Sequence, residues 1–229
     1  MEPEAGWGAV TAEARTHQES PAPEADRELS SLGGFLRTLS AVLFRPEEFF
    51  QNMGREGWAG PTAFALIVSS VGLLGALFWQ LLVLAAADGN LGGIAEILPF
   101  QDLGPDLLLA IMAASPVLVL VNLGVGGTCW WGSVALVGAD RDFTPAWRIF
   151  CYAQAGMALG LIPFFGLLLA GIWVLALMYC GVKQVYGISA GGSLGALIIY
   201  LALQVFLVLT LLLGLMGVMA GLGFLLLLG

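Results

Sequence analysis

Chemistry in an apolar environment needs an ionisable or nucleophilic side chain held in place, and this sequence offers few. His17 is the only histidine, and it lies in a stretch rich in Glu, Ala and Pro. Cys129, Cys151 and Cys180 sit far apart inside apolar runs, with none of the Cys/His spacing a zinc site requires. They read as small apolar packing residues. No carboxylate pair and no Ser/His arrangement falls within an apolar run, so proton-coupled transport, intramembrane proteolysis and metal-dependent hydrolysis lack their groups. The expectation is a non-enzymatic protein with no metal and no cofactor.

The polar residues inside the apolar runs are uncharged: Ser69, Ser70, Gln80, Ser115, Asn122, Thr128, Ser133, Gln154 and Gln204. The simpler reading is hydrogen bonding from helix to helix, worth about 1 kcal/mol each. The sharper reading is a polar patch for a lipid headgroup or small solute. Asn122 and Gln154 are its best residues, because Asn and Gln are costly to bury unpaired.

Composition sets the frame for these residues. Of 229 residues, 59% are hydrophobic and 10% charged, and mean hydropathy is +0.93. A soluble domain carries about 25% charged residues. The chain is therefore a polytopic, all-α membrane protein. Net charge is −8. Residues 1–58 hold ten acids against five bases, and residues 59–229 hold six against three. This acidic balance disfavours nucleic acid as a partner, and the acidic tail also disfavours tight binding to anionic lipid.

Residues 1–29 are acidic and Pro-bearing, lack the basic start of a cleavable signal, and are expected to be a disordered tail. Residues 30–57 form an interfacial segment. Leu32, Phe35, Leu36, Leu39, Val42 and Leu43 share one helical stripe too short to span a bilayer. Arg45-Pro46-Glu47-Glu48 restarts a turn, after which Phe49, Phe50 and Met53 are expected to dip toward the membrane. Five spans follow, at about 61–87, 107–137, 145–161, 165–182 and 193–213. The second is long for a crossing of about 30 Å and is expected to bend near Pro116 or Gly124–Gly127. Residues 214–229 are an apolar, Gly-rich extension expected to break, bend or protrude.

With the N-terminus in the cytoplasm and five spans, Arg15, Arg27, Arg37, Arg45, Arg55, Arg141, Arg148 and Lys183 all fall inside, in accord with the positive-inside rule. The C-terminus is then outside. Arg148, one turn into the third span, is expected to snorkel to the interface. Gly156-x-x-x-Gly160, Gly191-x-x-x-Gly195 and Gly217-x-x-x-Gly221 allow close backbone approach, within the chain or between copies in a homo-oligomer.

Phe150-Cys151-Tyr152-Ala153-Gln154, Ile162-Pro163, Ile172-Trp173-Val174-Leu175-Ala176-Leu177 and Gly181-Val182-Lys183-Gln184-Val185-Tyr186-Gly187-Ile188-Ser189 resemble the Yip family, the five-span Ypt/Rab-interacting proteins and their prokaryotic relatives. Leu43-Phe44-Arg45-Pro46-Glu47-Glu48-Phe49-Phe50 is similar to that family's short segment before the first span. The resemblance covers about residues 40–213 and looks most like the compact prokaryotic members. It implies a five-helix bundle with a cytoplasmic N-terminus in a prokaryotic inner membrane. The interfacial segment and the loops at Asp140–Thr144 and Lys183–Gly192 share one side of the membrane and no catalytic group accompanies them, so the expected role is a scaffold or organiser that meets proteins or lipids. Arg45, Pro46, Phe49, Phe50, Arg141, Lys183 and Tyr186 are the expected cytoplasmic interaction surface. Gly156, Gly160, Trp173 and Gly181 are the expected helix-packing residues. A transporter or channel for a small or lipidic solute, with Asn122 and Gln154 lining its path, is the alternative.

Overall fold

The computed structural model describes residues 32–54, 57–86, 105–139 and 141–228. The expected tail, most of the loop before Pro105, and Asp140 lie outside the described residues. Among those described, all regular structure is helical: α1 (Leu32–Phe44), α2 (Pro46–Gln51), α3 (Ala59–Ala86), α4 (Pro105–Leu136), α5 (Phe143–Ala153), a 3₁₀ segment (Gln154–Leu161), α6 (Gly166–Tyr186) and α7 (Ala190–Leu228). The four longest, α3, α4, α6 and α7, are long and apolar enough to cross a membrane.

The expected third span is built in two parts. α5 supplies 11 residues and the 3₁₀ segment 8. A 3₁₀ helix rises about 2.0 Å per residue against 1.5 Å in an α-helix, so the pair reaches about 32 Å, enough for the hydrocarbon core. A 3₁₀ run of this length needs outside support, and α3 and α6 provide it.

α3 and the α5–3₁₀ unit run side by side in one direction. Trp147 Nε1 donates to Thr62 Oγ1 at 2.8 Å and Ser69 Oγ to Gln154 Oε1 at 3.4 Å, both 85 residues apart in sequence. Trp79 Nε1 donates to the Leu161 carbonyl at 2.9 Å, 82 residues apart. The offset shrinks because seven 3₁₀ steps cover nearly the distance of ten α-helical steps, about 14 against 15 Å.

Absent side chains make this contact possible. A Cβ on Gly160 would lie 2.5 Å from the Gly72 carbonyl oxygen, and one on Gly72 would strike the Met157 carbonyl. On the other flank a Cβ on Gly156 would lie 2.8 Å from the Val174 nitrogen, and one on Gly166 2.5 Å from the Leu159 oxygen. Gly156 and Gly160 thus pack within the chain. Gly191 and Gly195 touch little, and the side-chain surroundings of Gly217 and Gly221 lie outside the description.

α4 stays a single helix through Pro116. Proline has no N–H, which deprives the Met112 carbonyl of its usual donor. The fully buried Ser115 hydroxyl donates to that carbonyl at 2.8 Å instead. Thr128, Ser133 and Thr210 likewise donate to the carbonyls of Gly124, Cys129 and Phe206 in their own helices. Gln204 bonds Tyr200, one turn before it. The expectation of helix-to-helix bonding is therefore corrected for Ser115, Thr128 and Ser133, because a hydroxyl reaches its own preceding turn more easily than a neighbouring helix, and for Gln204, whose amide donates to the Tyr200 hydroxyl one turn back on the same helix. Ser69–Gln154 is the described interhelical bond among that set.

α7 runs unbroken for 39 residues through Gly214, Gly217, Gly221 and Gly223. At about 1.5 Å per residue it is about 58 Å long, nearly twice the hydrocarbon thickness. Its apolar outer face, including Ile198, Val205, Phe206 and Leu209, is exposed, as a lipid-facing helix requires. The turn into α6 holds Phe164 at φ 64°, a left-handed conformation uncommon for a residue with a Cβ.

Gly160→Leu should destabilise the bundle by about 3 kcal/mol or more, because the obstacle is rigid backbone. Ser115→Ala should cost about 1 kcal/mol by orphaning a buried carbonyl, whereas Gly191→Leu should be nearly neutral. Thermal unfolding in one detergent would rank the three, and equal midpoints for Gly160→Leu and Gly191→Leu would refute the packing account.

Candidate functional site

The chain order sets Arg37, Arg45, Arg141, Arg148 and Lys183 at one end of the bundle, where α3, α5 and α7 begin and α4 and α6 finish. α6 ends there on Gly187 at φ 63°, the left-handed cap that glycine favours, with Lys183 in its last turn opposite the negative pole of the helix.

α1 and α2 fold over this end. α1 turns Phe35, Leu39, Val42 and Leu43 onto the core, and leaves Leu32, Leu36 and Phe44 exposed. Phe35 meets Phe64 at 5.3 Å between ring centres, Phe64 meets Tyr152 at 5.5 Å, and Phe49 meets Tyr152 edge-on at 4.9 Å. Phe50 is 1% exposed, and a Cβ on Gly181 would come within 3.2 Å of its ring. Gln51 Nε2 donates to Gln184 Oε1 at 3.2 Å beside it. The expectation that Phe49 and Phe50 dip toward the membrane is corrected: both rings face the bundle, because Gly181 leaves a seat on α6 and Tyr152 offers a ring edge on α5.

Arg148 is the second correction. It does not snorkel outward but is 4% exposed. Its Nη1 donates to the Gly57 carbonyl at 2.7 Å, and its guanidinium carbon lies 5.8 Å from the centre of the Tyr152 ring, one turn along the same helix. Beside it, Thr62 Oγ1 donates to the Trp58 carbonyl at 2.6 Å and accepts from Trp147. These bonds tie the start of α3 to α5.

Between α1, α2 and α5 lies a cavity of about 300 Å³. Its polar lining is Thr38, Arg45, Glu48, Asn52, Arg148 and Tyr152. Arg45 and Glu48 approach to 3.8 Å at the exposed rim, a pair of little energetic weight. Asn52 Nδ2 donates to the Glu48 carbonyl at 2.9 Å. Sequence reasoning named Arg45 but missed Arg148, Tyr152, Thr38, Glu48 and Asn52 as neighbours. The available signal was the Arg148-x-x-x-Tyr152 spacing.

The remaining expected residues are dispersed. Arg141 and Lys183 are exposed, Pro46 and Tyr186 half-buried, and Trp173 is 39% exposed. Trp131 Nε1 donates to the Arg141 carbonyl at 2.9 Å. Asn122 is exposed among Leu118, Val121 and Val125, whereas Gln154 is buried against Ser69. The two are not brought together. Among the described residues no group of His, Cys, Asp and Glu could hold a metal.

Apolar membrane-length helices around a shorter two-part helix, closed at the basic end by a docked amphipathic pair, define a polytopic integral membrane protein. The chain belongs to the Yip1 domain family, whose profile matches residues 40–227. The match runs past residue 213, through the continuous part of α7. No curated protein and no solved structure matches the chain.

Phe49→Ser with Phe50→Ser should release α2 and expose the 45–58 stretch to protease, with at least tenfold faster cleavage, since losing one buried Phe removes about 3 kcal/mol or more. Cleavage at the wild-type rate would show that the rings do not hold the segment.

Proposed function

We propose that this protein is a non-enzymatic membrane scaffold or organiser whose basic end receives partners on the cytoplasmic side of a prokaryotic inner membrane. The observation that carries the reading is the gathering of every described cation at the end closed by α1 and α2. The positive-inside rule then sets that end in the cytoplasm. Its outer surface offers the exposed Arg45, Arg141 and Lys183, with Asp142 and Glu48 interspersed and Phe44 and Phe143 exposed beside them, while Pro46 and Tyr186 are half-buried. Mixed charge beside aromatic residues suits recognition of a protein surface. Phe49 and Phe50 serve this surface from beneath, by holding α2 in place.

A conduit would need Asn122 and Gln154 on one path. The exposure of Asn122 and the burial of Gln154 favour the scaffold instead.

Extraction into native-lipid nanodiscs and mass spectrometry of copurifying proteins tests the proposal. A near-stoichiometric protein partner is expected, reduced about tenfold or more in Arg141→Glu with Lys183→Glu. Partner recovery unchanged by that double substitution would count against this surface. Solute flux in vesicles that disappears in Asn122→Leu with Gln154→Leu would overturn the scaffold reading.

A further inference from the structure

We propose that the cavity under α1 and α2 binds the phosphate of an anionic phospholipid headgroup, with Arg148 and Arg45 as its cations. The inference rests on the basic end being an interaction surface, but it requires no protein partner.

The first support is the preorganised Arg148. Its guanidinium is buried in the cavity wall, held by the Gly57 carbonyl at 2.7 Å and faced by the Tyr152 ring at 5.8 Å. A fixed planar fork is the side chain best suited to phosphate oxygens, and holding it in advance lowers the ordering cost of binding. The second support is charge. Among the described lining residues Arg45 and Arg148 are the cations and Glu48 is the carboxylate, so cations outnumber carboxylates on the cavity wall. Glu48 is the repulsive element. It sits at the rim as the loose partner of Arg45, so an entering phosphate competes with it for Arg45. Thr38 and Asn52 supply further polar groups for the headgroup.

The third support is the surroundings, which favour a lipid over free phosphate. The cavity is lined by Ala41, Phe49 and Met53 as well as by polar groups. Directly beside Arg45, Phe44 is 79% exposed, and Leu32 and Leu36 are exposed on the same helix. Cations next to unpartnered apolar side chains are what the headgroup–acyl boundary accommodates. At about 300 Å³ the space lies at the lower end of small-molecule sites, roughly 300–1,000 Å³, and fits a headgroup rather than a whole lipid.

The test uses the purified full chain in nanodiscs of phosphatidylcholine with a minority of phosphatidylglycerol, read by native mass spectrometry of retained lipid and by thermal unfolding. Phosphatidylglycerol should be retained selectively and should raise the unfolding midpoint. Arg45→Gln, at the exposed rim, and Ala41→Phe, which fills the cavity without removing a charge, should each weaken retention about tenfold or more. Arg148→Lys, which keeps the charge but loses the fork, should do the same. If that variant fails to fold, the first two still decide the matter. Equal retention of the two lipids by the wild type would overturn the proposal. So would an equal loss on Arg141→Gln, a cation of the same end outside the cavity, because attraction would then be diffuse. Stabilisation by inorganic phosphate in pure phosphatidylcholine discs, equal to that by phosphatidylglycerol, would overturn the lipid assignment in favour of a free-phosphate site. A scaffold reading that fails for want of a protein partner leaves this lipid readout untouched.

Discussion

Lipid tails are as apolar as leucine, so helices in a membrane gain little from hiding apolar side chains from one another. What holds them together is close contact, and the closest contact here is between backbones. The 3₁₀ segment lies between α3 and α6, where Gly72, Gly156, Gly160 and Gly166 remove the side chains that would keep the chains apart. That wedge sets the register of α3 against α5, and the register in turn aligns Thr62 with Trp147 and Ser69 with Gln154. Gly126 and Gly127 do the same for α4, where a Cβ would meet the rings of Phe150 and Trp147.

The same solvent leaves unmet backbone polar groups no water to turn to. The spans meet that demand locally. Ser115 covers the carbonyl that Pro116 strands, and Thr128, Ser133 and Thr210 bond back into their own helices. Few polar side chains are then left to connect helices, which makes the glycine contacts more important.

At the basic end the balance changes, because charge is tolerable near the interface and buried rings can carry packing. Arg148 joins the two regimes. It rises from α5, bonds Gly57 two residues before α3, and faces the cavity that α1 and α2 close. The aromatic chain from Phe35 through Phe64 and Tyr152 to Phe49 then fastens the amphipathic pair to the bundle. Gly181 completes the arrangement by receiving Phe50. Two of the residues that carry the family resemblance, Tyr152 and Gly181, therefore serve the docking of α2.

Much of the architecture was legible in the residues alone. Composition and the lengths of apolar runs are sums along the chain, so they identified an all-α membrane protein with several apolar helices of membrane length. The order of the basic residues around those runs placed Arg141 and Lys183 at one end, since each crossing reverses direction. The division of residues 143–161 into α5 and a 3₁₀ segment was not legible, because Gln154–Leu161 has the composition of any apolar helix and becomes 3₁₀ only between α3 and α6. The burial of Arg148 and Phe50 was not legible either. A charge near a helix end and an aromatic after Pro46 look interfacial until Tyr152 and Gly181 are brought to meet them. Such choices depend on which faces approach and how closely, and only the assembled tertiary structure supplies those distances.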